Sequence, residues 1–318
     1  MRKWIASVLF IFCLLLASLY LLIPATIVLQ KDVKIKINQQ SIKRLLMDEN
    51  NWHKWWSDGD TTIVGKFPVH FILFNGNSYS ITDKKYSSVL LTIHNKNNAL
   101  ATSSLDIITI SKDSVKLYWE AVIATSKNPV TRLQQYLTSR EIKKDMSILL
   151  NKIEIFFSKP YNIYGIDIRQ ELVVDSLLLS TYDSVKNYPS TGFIYSLIDK
   201  LKKYIDAKDA TITGNPMLNI FTKDSITYLV KVALPVNKKL PASGKISYKW
   251  MLPGGHILVA DIKGGSKVID RASRQMELFV SDNQKIAPAI SFLSLVTNRM
   301  QEKDSTKWVT RIYFPIID

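Results

Sequence analysis

Cysteine is almost absent. Cys13 is the only one in 318 residues, so no intramolecular disulfide can form and the fold does not depend on oxidation. Histidine is scarce too: His53, His70, His94 and His256 are the only four, no two stand at a zinc-like spacing, and Cys13 sits in an apolar run. No metal site is expected. The 11 glycines form neither a phosphate-binding loop nor a Gly-x-Ser-x-Gly elbow, and Gly254-Gly255 and Gly264-Gly265 read as turns. No serine stands in a nucleophile context, so no catalytic residue and no cofactor are expected. Acidic residues are in deficit, 27 against 42 Lys and Arg, for a net charge of +15. The excess is spread evenly: 19 basic against 12 acidic residues in 31–160, and 21 against 15 in 161–318. A nucleic-acid surface concentrates its cations on one face or helix, so nucleic acid is not an expected partner.

Apolar residues, by contrast, are concentrated in one block. Trp4 to Gln30 carry no charge, more than the roughly 20 residues that cross a bilayer. A cleaved signal peptide would have an apolar region of roughly 7–15 residues ending at a small-x-small site, and no such site closes this run. The expectation is a single-pass transmembrane anchor in a segment 1–30, touching lipid through residues 4–29. Arg2 and Lys3 on one side and Lys31, Lys34 and Lys36 on the other pull its orientation in opposite directions. A short tail ahead of a long soluble region places the soluble domains outside the cytoplasmic membrane.

Residues 31–160 read as an α+β domain. Asp32–Ile37 alternates as a strand; Asn38 caps a helix with Ile42, Leu45 and Leu46 on its apolar side. From Phe67 to Thr125 strands alternate with polar turns at Asn75-Gly76-Asn77 and Asn95-Lys96-Asn97-Asn98. Ser139–Phe156 is helical, with Ile142, Met146, Leu149, Leu150, Ile153 and Phe157 at spacings of three and four. The opening strand Val33-Lys-Ile-Lys-Ile37, the motif Asn51-Trp52-His53-Lys54-Trp55 and the final amphipathic helix resemble the START-like (SRPBCC, polyketide-cyclase-type) superfamily. That resemblance implies a helix-grip fold holding an apolar ligand between sheet and helix, with Trp52, Trp55 and Trp119 as candidate cavity residues. The competing reading has the tryptophans stapling the first helix to the sheet.

Residues 161–318 contain an approximate internal repeat: a strand, an amphipathic helix (Gly192–Ile205, then Lys267–Val280) and returning strands that end at Pro235 and Pro315. Gly214-x-Pro216-Met217, Leu252-Pro253-Gly254-Gly255, Lys263-Gly264-Gly265 and Trp308-x-Thr310-x-Ile312-x-x-Pro315 resemble the gyrase-inhibitor-like, or AraC-type, effector-binding domain. The resemblance implies a pseudo-twofold tandem α+β domain with a ligand groove between halves. Its candidate ligand-binding residues are Tyr195, Met217, Tyr228, Lys231, Trp250, Asp261, Glu277, Trp308, Arg311 and Tyr313. In relatives the place of Arg311 is commonly a glutamate facing the pocket; here it is arginine, and Lys231 is its repeat partner, each four residues before the strand-ending proline. Two cations in one groove suit an anionic or neutral amphipathic ligand. Pairing of Arg311 with Asp261 or Glu277 is the alternative.

The sequence thus reads as a membrane-tethered, non-catalytic protein that binds or senses a small molecule. The rival readings are a hydrolase of small electrophiles using an acid such as Glu277, and an envelope interaction protein with vestigial pockets.

Overall fold

The computed structural model describes residues 2–56, 62–63, 70–95, 98–224 and 226–317. The expected strand residues Phe67 to Val69 and turn residues Lys96-Asn97 lie outside the described residues. Among these the chain is α+β and divides into two compact units, Met1–Ile163 and Tyr164–Asp318.

The first unit runs α1 (Arg2–Leu22), β1 (Thr26–Ile35), α2 (Gln39–Leu46), a 3-10 turn over Glu49–Lys54, β2 (Thr62–Ile63), β3 (His70–Phe74), β4 (Asn77–Lys85), β5 (Ser88–Asn95), β6 (Asn98–Ser111), β7 (Ser114–Ala124) and α3 (Pro129–Phe157). Its strands form one antiparallel sheet in the order β1-β7-β6-β5-β4-β3-β2. Asn75 and Gly76 both take positive φ between β3 and β4, which closes a tight hairpin. Every second residue of β7, from Val115 through Leu117, Trp119 and Ala121 to Ile123, is buried. These share a core with Ile142, Met146, Leu149, Leu150 and Ile153 of α3.

Two boundaries differ from the sequence reading. β1 begins at Thr26, not near Asp32, because Thr26 to Gln30 pair with Ala124 to Glu120 and bury Ile27 and Leu29. The apolar segment 1–30 is therefore a helix over 2–22 followed by five residues of sheet, and Pro24 disfavours helix at the residue before it. α3 begins at Pro129, ten residues before Ser139. The Asn128 side chain accepts from the Val130 and Thr131 N–H groups, and proline stands in the first turn. The early turns escaped the apolar pattern because Val130, Leu133 and Leu137 are exposed while Arg132 is buried, its guanidinium donating to the Ile23 carbonyl. On α1, Val8, Leu9, Phe10, Ile11 and Leu14 are exposed. Among the described residues no helix is long and apolar enough to cross a membrane.

The second unit follows the short α4 (Pro160–Tyr164) with β8 (Arg169–Leu172), β9 (Leu177–Lys186), α5 (Thr191–Asp206), β10 (Met217–Thr222), β11 (Thr227–Pro235), β12 (Ser247–Trp250), β13 (His256–Lys263), α6 (Ser266–Asp282), β14 (Phe292–Leu295) and β15 (Val309–Pro315). The eight strands form one antiparallel sheet in the order β12-β9-β11-β10-β14-β15-β13-β8. Read from either end, this order is the same arrangement of a strand–strand–helix–strand–strand repeat. The centre is the pairing of β10 with β14, where Leu218 stands opposite Leu293 and Met217 opposite Ser294. A pseudo-twofold axis at that pair relates Met217 to Phe292 and Asn219 to Ser294. The leading strand of each repeat crosses over: β8 pairs with β13 of the other half, and β12 with β9. Leu179, Val230, Val232, Leu234 and Leu218 pack with α5; Leu258, Ala260, Ile262, Ile312 and Phe314 pack with α6. Both helices thus cover one face of the sheet and leave the other open.

Candidate functional site

Strand alternation decides which side chains share the open face. On β11, Leu229, Lys231 and Ala233 point away from the buried set Val230, Val232 and Leu234. Registers carry this parity across the sheet: Lys231 stands opposite Asn219 and Tyr182, and Arg311 opposite Asp261 and Ser294. Lys231 and Arg311 therefore occupy pseudo-equivalent places on the helix-free face, as expected of repeat partners.

Two cavities lie on that face. One, of about 220 Å³, is walled chiefly by apolar groups including Leu178, Ala233 and Ile290, with Asn219, Lys231 and Lys249 among its lining. The other, of about 210 Å³, is lined by Glu171, Asp175, Ile257, Arg311 and Tyr313 among others. Both share Met217, Met251 and Phe292 as walls, so they are two ends of one groove. The ring of Phe292 stacks on Tyr313, 5.0 Å between centroids.

The charges at the two ends differ. Arg311 Nε donates to Asp261 Oδ1 at 2.6 Å and Nη2 to Oδ2 at 3.1 Å, while Arg169 Nη2 reaches the same Oδ2 at 2.6 Å. These contacts, Arg311 first, hold the Asp261 carboxyl below the usual carboxylate range and raise the Arg311 guanidinium above its own. Arg169 also lies 3.6 Å from Glu171 and 3.4 Å from Asp167. Asp175 stands half-buried without an ion pair among the described residues, and burial pushes its carboxyl up. Lys231 and Lys249 have no ion pair among the described residues either. The Oδ1 of Asn219 lacks a donor among the described residues, although its Nδ2 donates to the Ser291 carbonyl at 2.8 Å.

Of the residues singled out from the sequence, Met217, Lys231, Arg311 and Tyr313 line the groove, and Asp261 shares its face as the partner of Arg311. The remainder lie elsewhere. Tyr195 is buried on α5, its hydroxyl accepting from the Arg299 N–H at 2.8 Å. Tyr228 has the parity of the helix-bearing face and meets Tyr188 edge-on. The Trp308 indole donates to the Glu302 carbonyl, and the ring lines a separate 50 Å³ cavity with Ile194 of α5 and Ile269 of α6. Trp250 alternates away from Lys249 and is 57% exposed. Glu277 is exposed on α6, which covers the opposite face of the sheet. Pocket residues that the sequence reading missed include Glu171, Asp175, Lys249, Met251 and Phe292. All fall in short strands or loops with no apolar periodicity.

In the first unit Trp52, Trp55 and Trp119 are buried core residues. Trp52 stacks on Trp56 at 5.9 Å and meets Trp55 at 5.2 Å, and Trp56 meets Phe74 and Tyr79 edge-on. Trp52 Nε1 donates to the Leu46 carbonyl at the end of α2. Trp119 Nε1 donates to Ser103 Oγ at 2.6 Å. The rings of the 3-10 segment staple α2 to the sheet, the alternative to a pocket mouth. Beside them, Asp145 of α3 is buried against the sheet, accepting from Asn75 at 2.7 Å and Asn77 at 3.2 Å. Burial raises its carboxyl, opposed by those hydrogen bonds.

No family model matches the chain, and no curated protein matches it. Among solved structures, the EcmrR C-terminal domain is 18% identical over 48% of this chain and 98% of its own, with a TM-score of 0.41. A hydrolase from Listeria innocua is 9% identical over 47% of this chain and 92% of its own, with a TM-score of 0.35. SAV2435 bound to tetraphenylphosphonium is 11% identical over 48% and 94%, with a TM-score of 0.32. At TM-scores below 0.5 and identities below 25%, these likenesses decide neither the fold nor what the groove holds.

Proposed function

We propose that the chain is a membrane-tethered, non-catalytic protein that binds a small amphipathic molecule in the groove of an effector-binding second unit. The observation that carries this reading is the groove itself: an apolar-walled cavity and a second cavity of mixed polar and apolar lining, joined at Met217, Met251 and Phe292 on the helix-free face, with charged side chains at its ends. Ligand pockets have this make-up, an apolar body fixed by a few polar groups. An anionic preference, where present, comes from Lys231 and Lys249, since Arg311 is neutralised by Asp261. Glu277, the acid named for the hydrolase alternative, lies on α6, which covers the opposite face of the sheet from the groove. The first unit fits a START-like reading in its order of elements, a sheet closed by a long last helix. Tethering rests on the uncharged run from Trp4 and the exposed apolar side chains of α1; the soluble units then lie outside the cytoplasmic membrane.

The test is a titration of the full chain, held in lipid discs so that no free detergent competes, with a neutral apolar fluorescent dye. Ala233→Phe projects a ring into the 220 Å³ cavity and is expected to weaken the dye about tenfold while thermal unfolding is unchanged. Equal binding by both proteins, or none by the wild type, overturns the reading.

A further inference from the structure

We infer that the groove selects a dipolar ligand, one whose anionic end lies at Lys231 and Lys249 and whose cationic end lies at Glu171 and Asp175, with an apolar body between. The inference rests on the proposed small-molecule reading and adds the charge pattern of the ligand.

The pseudo-twofold supplies the argument. Glu171 stands opposite Ile257 on the strand that β8 lends to the second half, and Lys249 stands opposite Leu178 on the strand that β12 lends to the first. Ile257 and Leu178 are related by the axis, so Glu171 and Lys249 occupy equivalent corners with opposite charge. Each lines the cavity at its own end. The other equivalent pair, Lys231 and Arg311, differs in its neighbours: Tyr182 stands beside Lys231, whereas Asp261 neutralises Arg311. Around the second end the cations Arg311 and Arg169 face the carboxylates Asp261, Glu171, Asp167 and Asp175, an excess of negative charge. Around the first end Lys231 and Lys249 have no carboxylate within ion-pair distance among the described residues. Asp175 is half-buried with no counter-charge among the described residues, a position that a ligand ammonium relieves. Met217 and Phe292, equivalents across the axis, line both cavities between the two corners. The apolar walls of the first cavity strengthen charge recognition at Lys231 and Lys249.

One rigid aromatic amino acid, 4′-(aminomethyl)biphenyl-4-carboxylic acid, tests this in four forms: free, N-acetylated, methyl-esterified and doubly blocked. Each is titrated calorimetrically into the full chain in lipid discs. The zwitterion is expected to bind about fivefold tighter than either singly blocked form, the size of a partly exposed ion pair. Lys231→Gln with Lys249→Gln abolishes the preference for a free carboxylate only. Glu171→Gln with Asp175→Asn abolishes the preference for a free amine only. If all four forms bind alike, or the ester binds best, the dipolar inference falls while the groove stands as a ligand site. If none of the four binds and the neutral dye also fails, the small-molecule reading itself falls.

Discussion

Arg311 and Asp261 face each other across β15 and β13 with two hydrogen bonds, 2.6 and 3.1 Å, between guanidinium and carboxylate. The arginine that the sequence offers as a free cation in the groove is therefore spent on its neighbour. Arg311→Glu sets two carboxylates side by side across the ladder, where like charges destabilise. It is expected to lower the unfolding temperature of the second unit and to leave the recognition of anionic probes with Lys231 and Lys249. A differential scan paired with a probe titration checks both. A variant that keeps its melting temperature and rejects anions would contradict the pairing.

The same pair sets a pH dependence. The Asp261 carboxyl is depressed in the fold, so it adds stability above its unfolded pKa of about 3.9 and loses it as pH falls through the folded value. The advantage of wild type over Asp261→Asn is expected to be complete at pH 7 and to shrink below about pH 4. Because both side chains are about a third exposed, it also shrinks with salt. Urea melts of the two proteins at several pH values decide this.

Asp145 behaves in the opposite sense. Its folded carboxyl is raised by burial, so its contribution to stability is largest in acid and falls as pH rises from about 4 through the folded value. Asp145→Leu strips Asn75 and Asn77 of their acceptor and is expected to cost about 2 kcal/mol at neutral pH. The cost should be greater near pH 4 than at pH 7. A cost that is constant or shrinks toward acid contradicts the buried network.

Leu218 is buried where the two halves of the second unit meet. Leu218→Ala is expected to cost about 3 kcal/mol, within the range for a leucine truncated in a packed core. Denaturant titration measures it.

Truncation tests the start of the first sheet. A chain beginning at Pro24 keeps all ten pairs of β1 with β7 and is expected to fold. One beginning at Lys31 loses Thr26 to Gln30 from the ladder, leaves the edge of β7 from Glu120 to Ala124 unpaired and is expected to aggregate. Cys13 offers a companion test of tethering: in lipid discs a charged maleimide is expected to label it slowly, and in detergent-free unfolded protein rapidly.

The parts legible in the sequence share one property, an apolar period long enough to rise above local noise. α3 from Ile142 onward, α5, α6 and the alternating β7 are of this kind. The proline-ended strands showed Lys231 and Arg311 as partners because parity along a strand is fixed by geometry. The four-residue strands β8 and β12 were missed, since Arg-Gln-Glu-Leu and Ser-Tyr-Lys-Trp carry no such period. With them went Glu171 and Lys249, the residues that distinguish the two ends of the groove. Tyr195, Tyr228 and Trp308 entered as candidates through the resemblance to an effector-binding domain, and hydrogen bonds or ring contacts hold them beneath the sheet.

The exchange of β8 and β12 has a consequence for how such a groove can arise. One repeat alone lacks its outer strand and would complete itself by lending that strand to an identical copy. Symmetry would then oblige the homodimer to place the same side chain at both corners of its groove, two lysines or two glutamates. Joining both copies in one polypeptide lifts that obligation. Each corner can be altered by a separate codon, so covalent linkage here is what permits a site with a head and a tail.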